Sequence, residues 1–368
     1  MRPTAIVGVG VNSPAGVDLA AHEQWWRDGR PARLGSSKHL ADEPLAGGHT
    51  VGEVPGWRAR NHVPERKSIK LMFPRVQFGI GAALEAWDCD GWTAESATEP
   101  PQRRAMYVGC GLTVDEDWTF REAIEAGMVE EEGAKRFDMA RFGSAGQGLL
   151  NPLWLVKGLS NNVLAFVARY RAITGPNDNF MGGAAGALQA LGAGVGAIAD
   201  GRADRVLVGS ADSLVTVEDC LAFQRVGALV AGLVPSQGAG FALLRPGEAG
   251  DFGQLAIETG FSPTLGVPTP DWRPGPDAEE ALEQVAEIAW TQMGRSRAPA
   301  LRIRGPRLAD PGDIDLWTPL GDPGAAAGGW MLAAAWLART IDGVTGPIEL
   351  AVAAPNGELA VAVLGTLP

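Results

Sequence analysis

Histidine is almost absent from this chain. The 368 residues contain four, His22, His39, His49 and His62, and none follows position 62. A mechanism that draws an imidazole general base from the second half of the sequence is therefore excluded. Lysine is nearly as skewed: there are five, the last is Lys157, and the 211 residues beyond it carry Arg as their only strong cation. No run of basic residues occurs. With 43 acidic residues against 31 Lys and Arg, the formal charge is -12 and the isoelectric point lies near 4.9. Nucleic-acid binding, which needs clustered cations to release counterions, is not expected, and the same charge opposes docking of an acidic partner. The three cysteines, Cys89, Cys110 and Cys220, lack a CxxC spacing, so neither a disulfide framework nor a zinc site is expected. No metal or cofactor is expected, and a reducing cytoplasm is the expected compartment. No charged segment followed by a long apolar one marks a signal peptide.

Apolar residues, by contrast, make up 46% of the chain, enough at 38.4 kDa to bury a large core as one big domain or two smaller ones. Met181 to Ala199 (MGGAAGALQALGAGVGAIA) carries no charge over 19 residues, and Pro323 to Ala338 is similar but shorter. The first has the length of a membrane span. Both, however, consist of Gly and Ala rather than Leu, Ile and Phe, which gives too little transfer energy, and no membrane span is expected. A helix that is apolar all round and lined with small residues belongs deep in a soluble protein, packed closely on both sides.

Strand-like and helical segments alternate throughout. Strands are read at Thr4 to Gly10, Arg104 to Leu112, Asn179 to Met181, Ala203 to Gly209 and Gly240 to Leu244. Helices are read at Asp18 to Gly29, Ser68 to Trp87, about Asp115 to Ala126 and Asn151 to about Tyr170, followed by the first uncharged helix. After Gly247-Glu248-Ala249-Gly250 the pattern restarts. Strand Gln254 to Gly260, helix Asp277 to Met293, strand Pro299 to Arg304 and the second uncharged helix lead to strands Ile348 to Ala353 and Leu359 to Leu364, joined by a turn at Pro355-Asn356-Gly357. Two halves, 1–250 and 251–368, thus share an order. An all-apolar helix in each places both in a middle layer between two sheets and predicts a layered α/β/α/β/α body. No residue-level repeat is readable between the halves.

The opening TAIVGVGVNSPAGVDLAAHEQWWRDGRPA resembles the start of β-ketoacyl synthases, with a strand, a Gly-x-Gly, a Ser-Pro-x-Gly and a Trp-bearing helix in that order. Further segments keep the register: RKSIKLMFPRVQFGIGAALEAW, MYVGCGL, NPLWLVKGLSNNVLAFVARYRAITGPN, ADGRADRVLVGSADS and SQGAGFALLRPGEAG. The resemblance covers the first 250 residues well and the remainder thinly. It implies a thiolase-like, duplicated five-layer fold.

The family's chemistry is a different matter. The resemblance implies a nucleophilic cysteine eight residues past the Pro of the Gly-Pro turn, at the N-terminus of the buried helix, where the helix dipole favours a thiolate. Counting from Pro176 reaches Ala184, and Gly182, Gly183, Ala185 and Gly186 around it have no reactive side chain either. Two histidines are implied by the same resemblance. The chain presents Arg304 after the strand at 299 to 303 and Asp322 before the second apolar helix, and the lysine expected upstream of the second is missing, with Leu316, Trp317 and Thr318 in its region. The family's C-terminal Gly-Phe-Gly-Gly-Thr-Asn loop survives at most as Asn356 and Gly357. With these parts changed, condensation by the family mechanism is not expected.

The remaining motifs have plain explanations. Cys110 reads as a small buried residue in a tight turn before it reads as a relocated nucleophile. Cys89, between Asp88 and Asp90, is a poor thiolate, and Cys220 reads as packing. Gly8-Val9-Gly10 with Ser13 is a partial dinucleotide fingerprint that a strand turn explains. Arg304 and Asp322 are expected to pair across the vacated cavity. The twelve tryptophans are read mostly as core or interface anchors. Cys110, Met181, Gly183, Ala184, Asn356 and Gly357 are the candidate pocket-lining residues.

The leading expectation is a catalytically silent ketosynthase-like protein of fatty-acid or polyketide-type metabolism. It would form a homodimer, or a heterodimer with an active ketosynthase, through the edge strand near Asn179 to Met181, with acyl carrier protein as a further partner. Two alternatives stand beside it: an acyltransferase or hydrolase that recruits Cys110, Asp322 or Arg304, and a scaffold or binding protein that keeps only the fold.

Overall fold

A computed structural model of the protein describes every residue except 1, 38–39, 42–47, 112–118, 132, 151, 226, 229–231, 263–275, 307 and 309. The first half contains strands β1 (Thr4–Asn12), β2 (Gly35–Ser36), β3 (Thr50–Val51), β4 (Arg104–Cys110), β5 (Met128–Glu131), β6 (Ala134–Phe137), β7 (Asn177–Phe180), β8 (Arg205–Ser213) and β9 (Gln237–Pro246). Its helices are α1 (Leu19–Arg27), α2 (Pro74–Asp88), α3 (Thr119–Ala126), α4 (Met139–Arg141), α5 (Trp154–Lys157), α6 (Asn162–Arg171), α7 (Gly186–Ala199) and α8 (Val217–Arg225). The second half adds β10 (Phe252–Phe261), α9 (Pro276–Gln292), β11 (Leu301–Arg304), α10 (Trp317–Leu320), α11 (Ala327–Thr340), β12 (Ile348–Ala353) and β13 (Glu358–Thr366).

Nine strands form one hydrogen-bonded run in the order β11-β12-β13-β10-β1-β9-β8-β4-β7. The two expected sheets are joined at a narrow seam, where only Thr4 and Ala5 of β1 pair with Gln254 and Gly253 of β10. The layering is as expected. Helices α7 and α11, the two uncharged segments, lie against each other and touch strands from both sides of the seam. One core cluster joins them to β1, β8, β12 and β13 through Leu188, Leu191, Val208, Met331, Leu350 and Leu364. Helices α2 and α6 cover the outer face of the first half, and α9 covers that of the second.

Small residues make this middle layer possible. A Cβ on Gly109 of β4 would lie 2.5 Å from the backbone of Gly186, and one on Gly240 of β9 would lie 2.3 Å from that of Gly329. Each buried helix is therefore seated on the sheet by a glycine against a glycine. The Gly8-Val9-Gly10 motif is explained in the same way, which corrects the turn reading. Strand β1 runs straight through it, and side chains there would strike Cys89 of the α2 C-cap and the backbone of α2 at Ala82.

Two expected helices are broken. The segment from Ser68 becomes a 3-10 stretch, Arg66–Leu71, and then α2, because Pro74 takes the first helical position and holds Phe73 before it extended. The helix expected from Asn151 to Tyr170 is interrupted between α5 and α6; Asn151, and residues 115–118 of the helix before it, lie outside the described residues. Hairpin β5–β6 and helix α8 were not anticipated.

His22 sits in the interior. Its Nδ1 faces the carbonyl of Asp18 at 2.7 Å and so carries the proton, which leaves Nε2 to accept from the Ser13 hydroxyl at 2.6 Å. The pair has the polarity of a hydrolase dyad, but the void beside it is about 10 Å³, walled by Trp25, Trp26 and Trp330, and admits no substrate. Burial depresses the His22 pKa to about 4. Between that value and 6.5 the unfolded chain takes up a proton that the folded chain refuses, so this group lowers stability as pH falls, by about 1.4 kcal/mol per unit. Glu85, which accepts from the N–H groups of Leu19 and Val11, is pushed by burial up to about 7. Its folded form binds the extra proton between pH 4.5 and 7, so its contribution falls as pH rises through that window. The two slopes oppose each other. Urea titrations between pH 4.5 and 6.5 are expected to show stability rising more steeply with pH in Glu85→Gln than in the wild type, and less steeply or falling in His22→Gln; parallel profiles for the two variants would contradict this assignment.

Candidate functional site

The two middle-layer helices begin alike. Each is preceded by a 3-10 turn of sequence Gly-Ala-Ala, Gly183–Ala185 before α7 and Gly324–Ala326 before α11, and each turn opens on a glycine in the left-handed region, at φ 54° and 58°. Both helices are 14 residues long. The turns touch, so two helix N-termini converge, and between them lies a cavity of about 470 Å³.

Gly183 and Ala184 form one wall and Asp322, Gly324 and Ala325 another, with Leu214, Phe223 and Pro306 supplying apolar surface. Asp322 is buried, held by the cap of α10, where Gly321 adopts φ 81° and the Asp322 N–H donates to Val234 at 2.7 Å. Its Oδ1 accepts from the N–H of Gly324 at 2.9 Å.

A second carboxylate, Asp212 at the end of β8, was not singled out from the sequence. It is 2% exposed, lines the same cavity, and its Oδ2 accepts from the N–H of Ala325 at 2.9 Å. Two residues back on the same strand face, Ser210 accepts from the N–H of Gly329 at 3.2 Å. The α11 N-terminus is thus held by acceptors from β8, Ser210 and Asp212, with Asp322 on the turn before it. The signal was present in GSADS, where Ser210 and Asp212 alternate at the end of a fully buried strand.

Cys110 stands apart from the cavity. Gly109 faces α7 and Gly111 lines the cavity, so the residue between them points through the other face of the sheet, where Asn179 Nδ2 lies 3.1 Å from its sulfur. Burial raises its pKa, as it does, with help from adjacent aspartates, for Cys89 and Cys220, each pushed up to about 11. None of the three is a prepared thiolate. Met181 is 41% exposed beyond β7. Asn356 and Gly357 form the β12–β13 turn, whose Ala353 and Pro355 reach the cavity; the Asn356 Oδ1 lies 4.0 Å from where a Gly183 Cβ would be.

The expected Arg304–Asp322 pair does not form. Ile303 is buried toward the middle layer, so Arg304, next along β11, faces outward. Its guanidinium pairs with Asp310 at 3.0 Å, Asp313 at 3.4 Å and Glu283 of α9 at 3.9 Å.

A five-layer body with two helix N-termini meeting at one apolar cavity defines a thiolase-like protein, and this one has no thiol or imidazole among the described cavity residues. The sequence model of the β-ketoacyl synthase N-terminal domain matches residues 1–249. The chain belongs to the β-ketoacyl synthase family, as a divergent member. Comparison with curated proteins finds no match. Among solved structures, the ishigamide ketosynthase/chain length factor is similar over 100% of both chains, with a TM-score of 0.76 at 19% identity. The ketosynthase ApeO in complex with its chain length factor ApeC from Xenorhabdus doucetiae is similar over 99% of this chain and 98% of that one, at 0.70 and 15%. A type II PKS acyl-carrier protein in complex with its ketosynthase bound to the hexaketide is similar over 100% of both, at 0.72 and 15%. Among the described residues no helix is long and apolar enough to cross a membrane.

Proposed function

We propose that the protein is a non-condensing, ketosynthase-like subunit of fatty-acid or polyketide-type metabolism that binds an acyl chain and works beside an active ketosynthase. The observation that carries this reading is the cavity, where Ala184 stands at a helix N-terminus suited to a thiolate and the described lining residues include two carboxylates, Asp212 and Asp322, but no thiol or imidazole. Losing a nucleophile or base from a group of residues that act together costs several orders of magnitude in rate. The assignment of Ala184, Arg304 and Asp322 to the family's Cys and His positions, and the division at residues 250 and 251, belong to this proposal.

A partner is supported by the edge of the sheet. Strand β7 is outermost and pairs only with β4 among the described residues. The chain between β4 and β7 supplies exposed Ile124, Met139, Leu149, Val156 and Leu159, with Met181 just beyond. An open strand edge beside apolar side chains suits strand-to-strand association, with a second copy or with a ketosynthase. Two of the similar structures are described as ketosynthase with chain length factor and one as ketosynthase with acyl-carrier protein, the partners this reading assigns.

Incubated with acyl- and malonyl-carrier protein, the purified chain is expected to release no 3-oxoacyl product, and Ala184→Cys is expected to remain inactive for want of an imidazole. Mixed with a ketosynthase encoded beside its gene, it is expected to sediment as a heterodimer that Asn179→Pro in β7 disrupts. Product formation by the chain alone overturns the proposal, and loss of that product in Cys110→Ala would move the chemistry to Cys110.

A further inference from the structure

A second cavity, of about 330 Å³, lies toward the far end of α7. Val195 lines it, eleven residues along the helix axis from Ala184, a separation of about 16 Å. The two cavities share no lining residue. The second sits at the seam between β1 and β10. There the pairing of β10 with β13 slips between Gln254 and Ala256, and the extra residue, Leu255, contributes to the cavity wall with Val195, Met293 and Leu367.

Five polar side chains line this space, Gln254 and Thr366 together with Arg2, Thr4 and Arg295. Thr4 is 1% exposed, and its hydroxyl has no hydrogen-bond partner, an uncommon state for a buried donor and acceptor. Arg2 lines the cavity while holding Asp204 at 3.3 Å at the surface. Arg295 lines it with no hydrogen bond or ion pair among the described residues. In a chain of charge -12, with Arg as the only strong cation after Lys157, two guanidinium groups on one apolar-walled cavity form a local positive site. A cavity of this size accepts a small ligand largely enclosed by apolar surface and oriented by few polar contacts. Guanidinium groups match carboxylate and phosphate oxygens, and chiefly anions.

We propose that the seam cavity binds an amphipathic anion: a carboxylate or phosphate head held by Arg2 and Arg295, with an alkyl body along Val195, Leu255 and Met293 and the Thr4 hydroxyl as a further hydrogen-bonding group. The site is independent of the function proposed above. It would respond to free acyl acids or acyl phosphates rather than to chains tethered at the α7 N-terminus.

Isothermal titration of the full chain with decanoate, decyl phosphate and decanol tests this. One anion at least is expected to bind at one site per chain, at least tenfold more tightly than decanol and more weakly as salt rises; whichever anion binds more tightly identifies the head group. The double variant Arg2→Ala/Arg295→Ala changes only exposed side chains and is expected to lose at least tenfold in affinity, whereas Ala184→Met, which fills the other cavity, is expected to leave it unchanged. Decanol binding as tightly as both anions, or anion binding untouched by the double variant, overturns the proposal. So does binding lost in Ala184→Met and kept in the double variant, since the ligand would then occupy the cavity between the helix N-termini.

Discussion

Arg297→Met is expected to destabilise the protein by about 3–5 kcal/mol, because it strands a charge inside the second half. Glu349 on β12 is fully buried, and Arg297 grips it in two parallel bonds, Nε to Oε2 at 2.8 Å and Nη2 to Oε1 at 2.7 Å, while Trp290 Nε1 donates to Oε2 at 2.7 Å. The other nearby cation, Arg302, has its Nε 3.8 Å from Glu349, beyond hydrogen-bond distance, and its side chain is 38% exposed. Removing the carboxylate as well changes the sign of the problem, since an apolar pair needs no desolvation. The double variant Arg297→Met/Glu349→Leu is expected to recover most of the loss, limited by the Trp290 N–H left without its acceptor. Urea denaturation of the two variants checks this, and equal midpoints would rule out the stranded charge as the cause.

Gly240→Ala is expected to cost more than about 4 kcal/mol, and Gly240→Val to leave no folded protein. The added Cβ would lie 2.3 Å from the carbonyl of Gly329 and 2.8 Å from the N–H of Trp330, backbone atoms that cannot rotate aside. Relief requires α11 to move as a body. That helix also carries the Trp330 Nε1 bond to Asn12 and follows the turn bonded to Asp212, so the displacement would reach both the core and the functional cavity. Gly196, mid-helix in α7 with open space where its Cβ would stand, provides the control: Gly196→Ala is expected to raise stability by about 0.5–1 kcal/mol. If both alanine variants lost stability equally in urea, helix geometry rather than the glycine contact would be the limiting factor.

Much of the layered fold was legible because composition alone distinguishes a helix covered on two sides. The charge-free segments behind α7 and α11 are buried or half-buried along both helices, and they lie where such residues must lie. The break before α2 was legible in principle, since Pro74 cannot follow a helical Phe73. The interruption between α5 and α6 is local: Gly158 caps α5, and Asn162 Nδ2 donates to the carbonyls of Val156 and Lys157, so the Gly-Leu-Ser-Asn-Asn run could have announced it.

At the site, the absence of thiol and imidazole could be read directly, but direction could not. Arg304 was placed near the cavity by its position after a strand, whereas the pleat sends it outward to Asp310 and Asp313; counting alternation from buried Ile303 would have shown this. Asp212 was hidden inside a segment recognised as a whole. The matching Gly-Ala-Ala turns at 183 and 324 are the one residue-level trace of duplication, short enough to pass for composition in a chain with 50 glycines.

The seam also sets an order of assembly. Strand β1 is synthesised about 240 residues before its neighbours on both sides, β9 and β10, with Thr4 paired to Pro246 and to Gln254. At roughly 5–20 residues per second, TAIVGVG waits on the order of tens of seconds for a partner. Closing a loop of that length must precede any reward from strand pairing. The central strand of the finished molecule thus spends that interval with an unpaired edge on each side, and folding yield in the cell should depend on whatever covers those few residues, helix α2 included, until the first half is complete.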